Sequence, residues 1–270
     1  MSIRAARERG RRETFARLER KYRAGEYEEV EAEARALAAA SRRHSRRRRP
    51  LPQWQARVLA TGVAVAHGRG TEVLPELEAL IDELEPVDPE AHVLRLIVRN
   101  NRVTVLNGQE RYEDAETEAL GILRDVTRLA HLTPLWRMEL SALGALAVAL
   151  CGQDRHEEAE AIARGNLPRA AEPALAGLHA VLVRSLNGQG RHEEALAEAR
   201  RDPPHQDRRD SGLLDLVTAE ALHGLGRRGE AEAAVRRALA DCERHLHPAH
   251  PRIREARTLL GRVTGEGPGD

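Results

Sequence analysis

Cys242, His245, His247 and His250 follow a C-x2-H-x-H-x2-H spacing, a thiol and three imidazoles of the kind that tetrahedral zinc accepts. Cys242 also falls in the apolar stripe of a helical pattern, where a thiol behaves as a small hydrophobe, so no metal site is expected. Gly224, Gly226 and Gly229 match G-x-G-x-x-G by letter. That fingerprint works between a strand and a helix, where its glycines let backbone approach a pyrophosphate; here a helical pattern ends at His223. The runs His156-Glu157-Glu158-Ala159 and His192-Glu193-Glu194-Ala195 lack the second histidine, four places on, of a zinc-protease helix. Their acidic pairs suit the positive end of a helix dipole and read as helix starts. Cys151 has apolar neighbours and nothing in sequence to lower its pKa. No G-x-S-x-G, C-x-x-C or phosphate-loop motif occurs. No catalytic residue and no cofactor are nominated, and the chain is predicted not to be an enzyme.

The elements that would carry such residues are helices. Among 270 residues only six are aromatic (Phe15, Tyr22, Tyr27, Trp54, Tyr112 and Trp136), whereas Ala, Leu, Arg and Glu, all strong helix formers, dominate. The longest mostly apolar stretch, Leu143 to Cys151, is far short of the roughly 18 residues of a membrane span. The N-terminus has no apolar segment for a secretory signal, and a cytoplasmic protein is expected. Two cysteines exclude a disulfide scaffold. Forty-three basic side chains balance forty-three acidic ones, so no net field draws nucleic acid or anionic lipid to the molecule as a whole.

The chain repeats itself. The segments GEYEEVEAEARAL, ERYEDAETEALGIL, DRHEEAEAIA, GRHEEALAEAR and GRRGEAEAAVRRAL align, and their fifth following residue is Val30, Ala115, Ala159, Ala195 and Ala231, with later steps of 44, 36 and 36 residues. Such a period marks stacked helical hairpins. The 85-residue first step leaves room for two units, the second supplied by GRGTEVLPELEALIDEL from Gly68. After the last turn, Ala231, Ala234, Val235, Ala238, Leu239 and Cys242 form one helical stripe; Leu143, Leu146, Ala147 and Leu150, and Leu175, Leu178, Leu182 and Leu186, do so before earlier turns. Asn107-Gly108, Cys151-Gly152, Asn187-Gly188 and His223-Gly224 are predicted to close each first helix, the glycine taking the left-handed conformation. Alanine in the repeated column lets helices approach closely, and each unit completes the core of the next.

A Leu-rich helix, a Gly turn, (Tyr/His)-Glu-Glu-Ala and a second helix resemble the tetratricopeptide repeat. Pro89 to Arg111, with Arg99-Asn100-Asn101 and Leu106-Asn107-Gly108-Gln109, and His247-Pro248-Ala249-His250-Pro251 before a final helix, are similar to the longer repeats of the kinesin light chain type. The resemblance covers most of residues 12 to 264. It implies an all-α fold, a right-handed α-solenoid of about six hairpins with a C-terminal capping helix. It also implies a concave groove, lined by the first helices, that holds a peptide or a partner's helix. Positions off the apolar stripe and facing that groove would include Arg57, Thr61, Asn100, Thr104, Arg184, Asn187, Glu220 and His223, whose side chains could hydrogen-bond an extended backbone or its carboxylates. Asn187 and His223 have a plainer reading as helix-ending residues before glycine. Two features depart from the family pattern: the large aromatic of the first helix is mostly missing, and Arg42 to Pro52 is an insertion.

Residues 1–50 carry 16 basic and 8 acidic side chains, and the remainder carries the balancing acidic excess. Arg42, Arg43, Arg46, Arg47, Arg48 and Arg49 form a run that could clamp phosphates or dock an acidic partner, but no aromatic within it offers a base-stacking platform, and a solvated loop is the plainer expectation. Residues 1–52 are therefore expected to form a basic hairpin with an Arg-rich loop, and 53–270 the solenoid, its capping helix and a short disordered tail. The leading functional expectation is a non-enzymatic adaptor with a protein or peptide partner and no membrane. Alternatives are a peptide-responsive sensor that changes superhelix shape, nucleic-acid binding through Arg42–Arg49, and self-association through the opposed charges.

Overall fold

The computed structural model describes residues 3–44, 51–84, 89–131, 133–171, 174–201 and 210–265. Among them are thirteen α-helices and no strand: α1 (Ile3–Arg23), α2 (Tyr27–His44), α3 (Leu51–His67), α4 (Gly70–Glu83), α5 (Pro89–Gly108), α6 (Tyr112–Leu129), α7 (Trp136–Gly152), α8 (His156–Asn166), α9 (Ala174–Gly188), α10 (His192–Ala199), α11 (Leu213–Gly224), α12 (Arg228–His245) and α13 (Pro251–Thr264). They form six successive hairpins, α1/α2 to α11/α12, and a final helix, the all-α solenoid expected from the repeat.

One turn is used again and again. After α5, α7, α9 and α11, the amides of Arg111, Arg155, Arg191 and Arg227 donate to the carbonyls of Leu106, Leu150, Leu186 and Leu222, and those of Glu110, Asp154, Gly190 and Gly226 donate to Asn107, Cys151, Asn187 and His223. This pair of bonds is the Schellman closure, and it puts one residue into the left-handed region. That residue is Glu110 (φ 61°), Asp154 (φ 59°), Gly190 (φ 73°) or Gly226 (φ 71°).

The left-handed role assigned to Gly108, Gly152, Gly188 and Gly224 is thus corrected: each is the last helical residue, two places earlier. Their smallness serves packing. A Cβ on Gly152 would lie 2.4 Å from the Tyr112 ring, on Gly188 2.3 Å from His156, and on Gly224 2.3 Å from His192. The ring opening each second helix therefore lies flat over the glycine that ends the next first helix. At Gly108 the neighbour is instead Pro251, from the far end of the sequence, 2.9 Å from such a Cβ.

Packing sets the curvature. First helices touch in series, α3 on α5, α5 on α7, α7 on α9 and α9 on α11, and among the described residues no comparable packing links successive second helices. The row whose members touch is the inside of a curve. Val30, Ala115, Ala159, Ala195 and Ala231, the repeated column, are fully buried. A continuous apolar core runs from Leu96 through Leu146, Leu182 and Val217 to Val263, and a second fills the α3–α5 region around Leu77 and Leu80. A third, smaller cluster joins the two ends of the protein: Leu18, Tyr27, Val30 and Val63 pack with Cys242, Leu246 and Ile253.

Candidate functional site

The inner wall is built from α3, α5, α7, α9 and α11, and the eight expected groove residues fall on four of these helices. Arg57 is engaged by α4, with Nη1 2.6 Å from Glu83 and Nε 3.5 Å from Glu76. Thr61 is a correction: it is completely buried, and its hydroxyl donates to the carbonyls of Arg57 and Val58 on its own helix, so it presents nothing to a ligand. The Asn100 amide donates to Ser141 Oγ on α7 at 3.0 Å, tying neighbouring first helices together. Thr104 is exposed and donates to the Asn100 carbonyl. His223 is exposed at the end of α11.

Asn187 does more than end its helix. Its Nδ2 donates to the Val217 carbonyl in the middle of α11, at 2.8 Å. Asn107 does the same to Ala145 on α7, at 3.0 Å. The asparagine before the terminal glycine thus ties one inner helix to the next.

Arg184, Asn187 and Glu220 are brought together, and a fourth group joins them that sequence did not reveal. Arg184 Nη2 donates to Glu255 Oε1 of α13 at 2.6 Å. Both side chains stay partly exposed, at 27% and 34%, and the neighbouring Glu255 holds the guanidinium more firmly protonated than usual. Burial pushes the Glu220 carboxyl above its ordinary range despite Arg184 nearby. Burial likewise pushes the phenol of Tyr112 up, within reach of Glu110, Arg184, Glu255 and Arg254. Arg254 donates to the Gly108 carbonyl, which ends α5, and to Glu110. A cation at the negative end of a helix is favourable. The N-terminal half of α13 therefore lies against the ends of inner helices, besides packing on α12 and α11. Its Arg254 and Glu255 carry no periodic mark that could have announced this.

Along the outer row the acidic pairs do more than complement a dipole. Arg155, just before α8, binds Glu158 three residues on and Glu116 of α6, each at 2.7 Å. Arg191, before α10, binds Glu194 and Glu160 of α8, each at 2.6 Å. Gln153 and Gln189 add bonds to the same Glu116 and Glu160. Sequence signals this ladder where an acidic residue follows the column alanine and the next repeat supplies Gln-x-Arg.

The remaining candidates for chemistry are spread apart. Cys242 is buried, with its thiol directed at the Ser211 carbonyl; His245 approaches Asp241; His247 meets the His67 ring edge-on; and His250 Nδ1 accepts from the Arg252 amide. Among the described residues no three His, Cys, Asp or Glu side chains are grouped to hold a metal. Burial pushes the thiols of Cys151 and Cys242 each up to about 11, the wrong direction for a nucleophile. Gly224, Gly226 and Gly229 span a helix-turn-helix. Of the basic run, Arg42 and Arg43 lie in the last turn of α2, with side chains outside the described residues, and Arg46, Arg47, Arg48 and Arg49 lie outside them altogether. No described helix is long and apolar enough to cross a membrane.

Residues 219–252 match the tetratricopeptide repeat family. The match spans the second half of α11, all of α12, the linker and the first two residues of α13. No curated protein and no solved structure matches the chain.

Proposed function

We propose that the protein is a non-enzymatic adaptor whose inner wall receives a helical or extended segment of a partner protein. The tetratricopeptide repeat match favours a protein–protein interaction role in general, and repeat stacks of this kind present concave surfaces suited to it. The observation that carries the reading is the Arg184–Glu255 pair: Arg184 of the inner wall engages an acidic side chain presented by a helix. A partner helix carrying a carboxylate would use the same guanidinium. Arg57 and the exposed Thr104 extend this polar surface towards the N-terminal repeats. Two buried, unpaired thiols fit a reducing compartment such as the cytoplasm.

The test is affinity capture from the native cell with wild type, Arg184→Glu and the exchanged pair Arg184→Glu/Glu255→Arg. The exchanged pair restores the contact with α13 while reversing the charge of the wall. A protein retained by wild type and lost by both variants, each with an unchanged circular dichroism spectrum, supports the reading. Identical captured proteins with all three would overturn it.

The sensor form of this reading is favoured by the same contact. A ligand that takes Arg184 from Glu255 would loosen α13 and alter the curvature. Small-angle scattering with and without the captured partner separates a switched from a constitutive adaptor.

A further inference from the structure

The third apolar cluster lies where the two ends of the protein meet, and three histidine rings stand beside it. His67, at the end of α3, stacks on Tyr27 of α2 with ring centroids 5.1 Å apart, and its other neighbour is His247, edge-on at 5.5 Å. The His67 carbonyl accepts from the His247 amide at 2.9 Å. His67 Nδ1 is buried without a hydrogen-bond partner. His250 is seated over Gly68, whose Cβ, were there one, would fall 2.7 Å from it, and Pro251 is seated over Gly108. The linker 246–250 thus docks on the end of α3, and the first residue of α13 on the end of α5.

Two of these rings, His67 and His250, are held neutral. His250 Nδ1 accepts the Arg252 amide at 3.1 Å and so caps α13. The bond uses the Nδ1 lone pair, so the other ring nitrogen carries the hydrogen and an added proton has only Nδ1 to go to, where it destroys the cap. Burial, with Arg252 and the titratable His67 facing it, pushes His250 down to about 3. Burial and His247 also lower His67, and Glu28 of α2 is the single acidic group opposing them among the causes at either ring. His247 spends its own Nδ1 on the Ala249 amide.

We propose that this junction is an acid-released latch: protonation of His67 and His250 frees the linker and the first turn of α13 from α2, α3 and α5, and the solenoid opens while its central stack stays folded. The residues closing the junction belong to their own small cluster, distinct from the long core that runs from α5 to the later turns of α13, with Leu239 touching both, so the stack keeps most of its apolar contacts when the junction parts. A ring lowered in the closed form stabilises closure fully above its free value, near 6.5, and loses that contribution as pH falls below it. For His250 alone, closure weakens about tenfold between pH 7.5 and 5.5.

The two cysteines report on it. Cys242 is buried inside the junction cluster and Cys151 inside the central core. Maleimide labelling of the full chain is followed for each cysteine by mass spectrometry, with rates divided by that of free cysteine at the same pH. The expected result is that protection of Cys242 falls about tenfold or more between pH 7.5 and 5.5, with Cys151 unchanged. His250→Asn keeps a side-chain acceptor at the start of α13 but takes no proton, and should lose less than about threefold. Should that variant already be open at pH 7.5, His67→Phe, which retains a ring on Tyr27, makes the same comparison. Constant protection of Cys242, parallel loss at both cysteines, or variants closed at pH 7.5 that open in acid as wild type does would each overturn the latch.

Discussion

Arg184 on α9 and Glu255 on α13, 71 residues apart in sequence, meet at 2.6 Å. The pair fastens the last helix to an inner helix two hairpins upstream. Reversing Arg184 to Glu places two carboxylates together and should destabilise the docking of α13 by about 1 kcal/mol, the scale of a partly exposed ion pair. The reversal Glu255→Arg should cost about the same, and the exchanged double variant should recover at least half of the loss. Chemical denaturation of the four proteins measures the coupling; additive losses would deny that the contact matters.

Ala195 sits in the fully buried column where α10 meets the inner row. Replacing it with Glu buries an unpaired charge in a site with no room, at a cost of about 3 kcal/mol or more. A thermal melt reads this directly. An unchanged transition would contradict the packing.

The glycines that end the inner helices make a sharper case, because helix propensity and packing predict opposite signs. Gly188→Ala should gain up to about 1 kcal/mol from propensity. A Cβ there would fall 2.3 Å from the His156 ring, and such overpacking costs about 1–3 kcal/mol. Packing is expected to win, giving a net loss. In a His156→Ala background the same substitution should become neutral or stabilising, as urea unfolding would reveal.

Glu116 and Glu160 give the outer ladder its pH dependence. Gln153 and Arg155 hold Glu116 below its usual range; at Glu160, burial pushes the other way and is outweighed by Gln189, Arg164 and Arg191. A carboxyl lowered on folding stabilises fully above its ordinary value of 4.5 and loses that contribution as pH falls through the lowered one. The melting temperature should therefore fall below about pH 4.5. Glu116→Gln/Glu160→Gln should be less stable at pH 7 and show a shallower acid limb. An identical acid limb would mean that other carboxylates govern it.

The fold was legible because its determinants are local and repeated. Helix formers, apolar stripes and the column Val30, Ala115, Ala159, Ala195 and Ala231 each recur, so one unit read correctly gives them all. The glycines show where such reading stops. Gly152 and Gly188 mark the ends of α7 and α9 as expected, yet their cause is a ring from the preceding hairpin, which no local rule contains. The site was less legible still. A helical wheel separates apolar from polar faces but does not say what a polar face meets: Thr61 is buried, Asn100 is spent on Ser141, and Asn187 on the backbone of α11.

By itself the sequence determined a stack of helical hairpins and, to within about two residues, where the later ones turn back, because helix stripes, terminal glycines and acidic first turns act within a few residues. The tertiary structure alone decided that the stack bends far enough for its ends to touch, bringing Glu255 to Arg184 and His250 to Gly68. Curvature is the sum of small rotations between many helix pairs, each set by side-chain volumes across an interface. No single segment encodes that sum, so the residues it brings together bear no mark in the linear pattern.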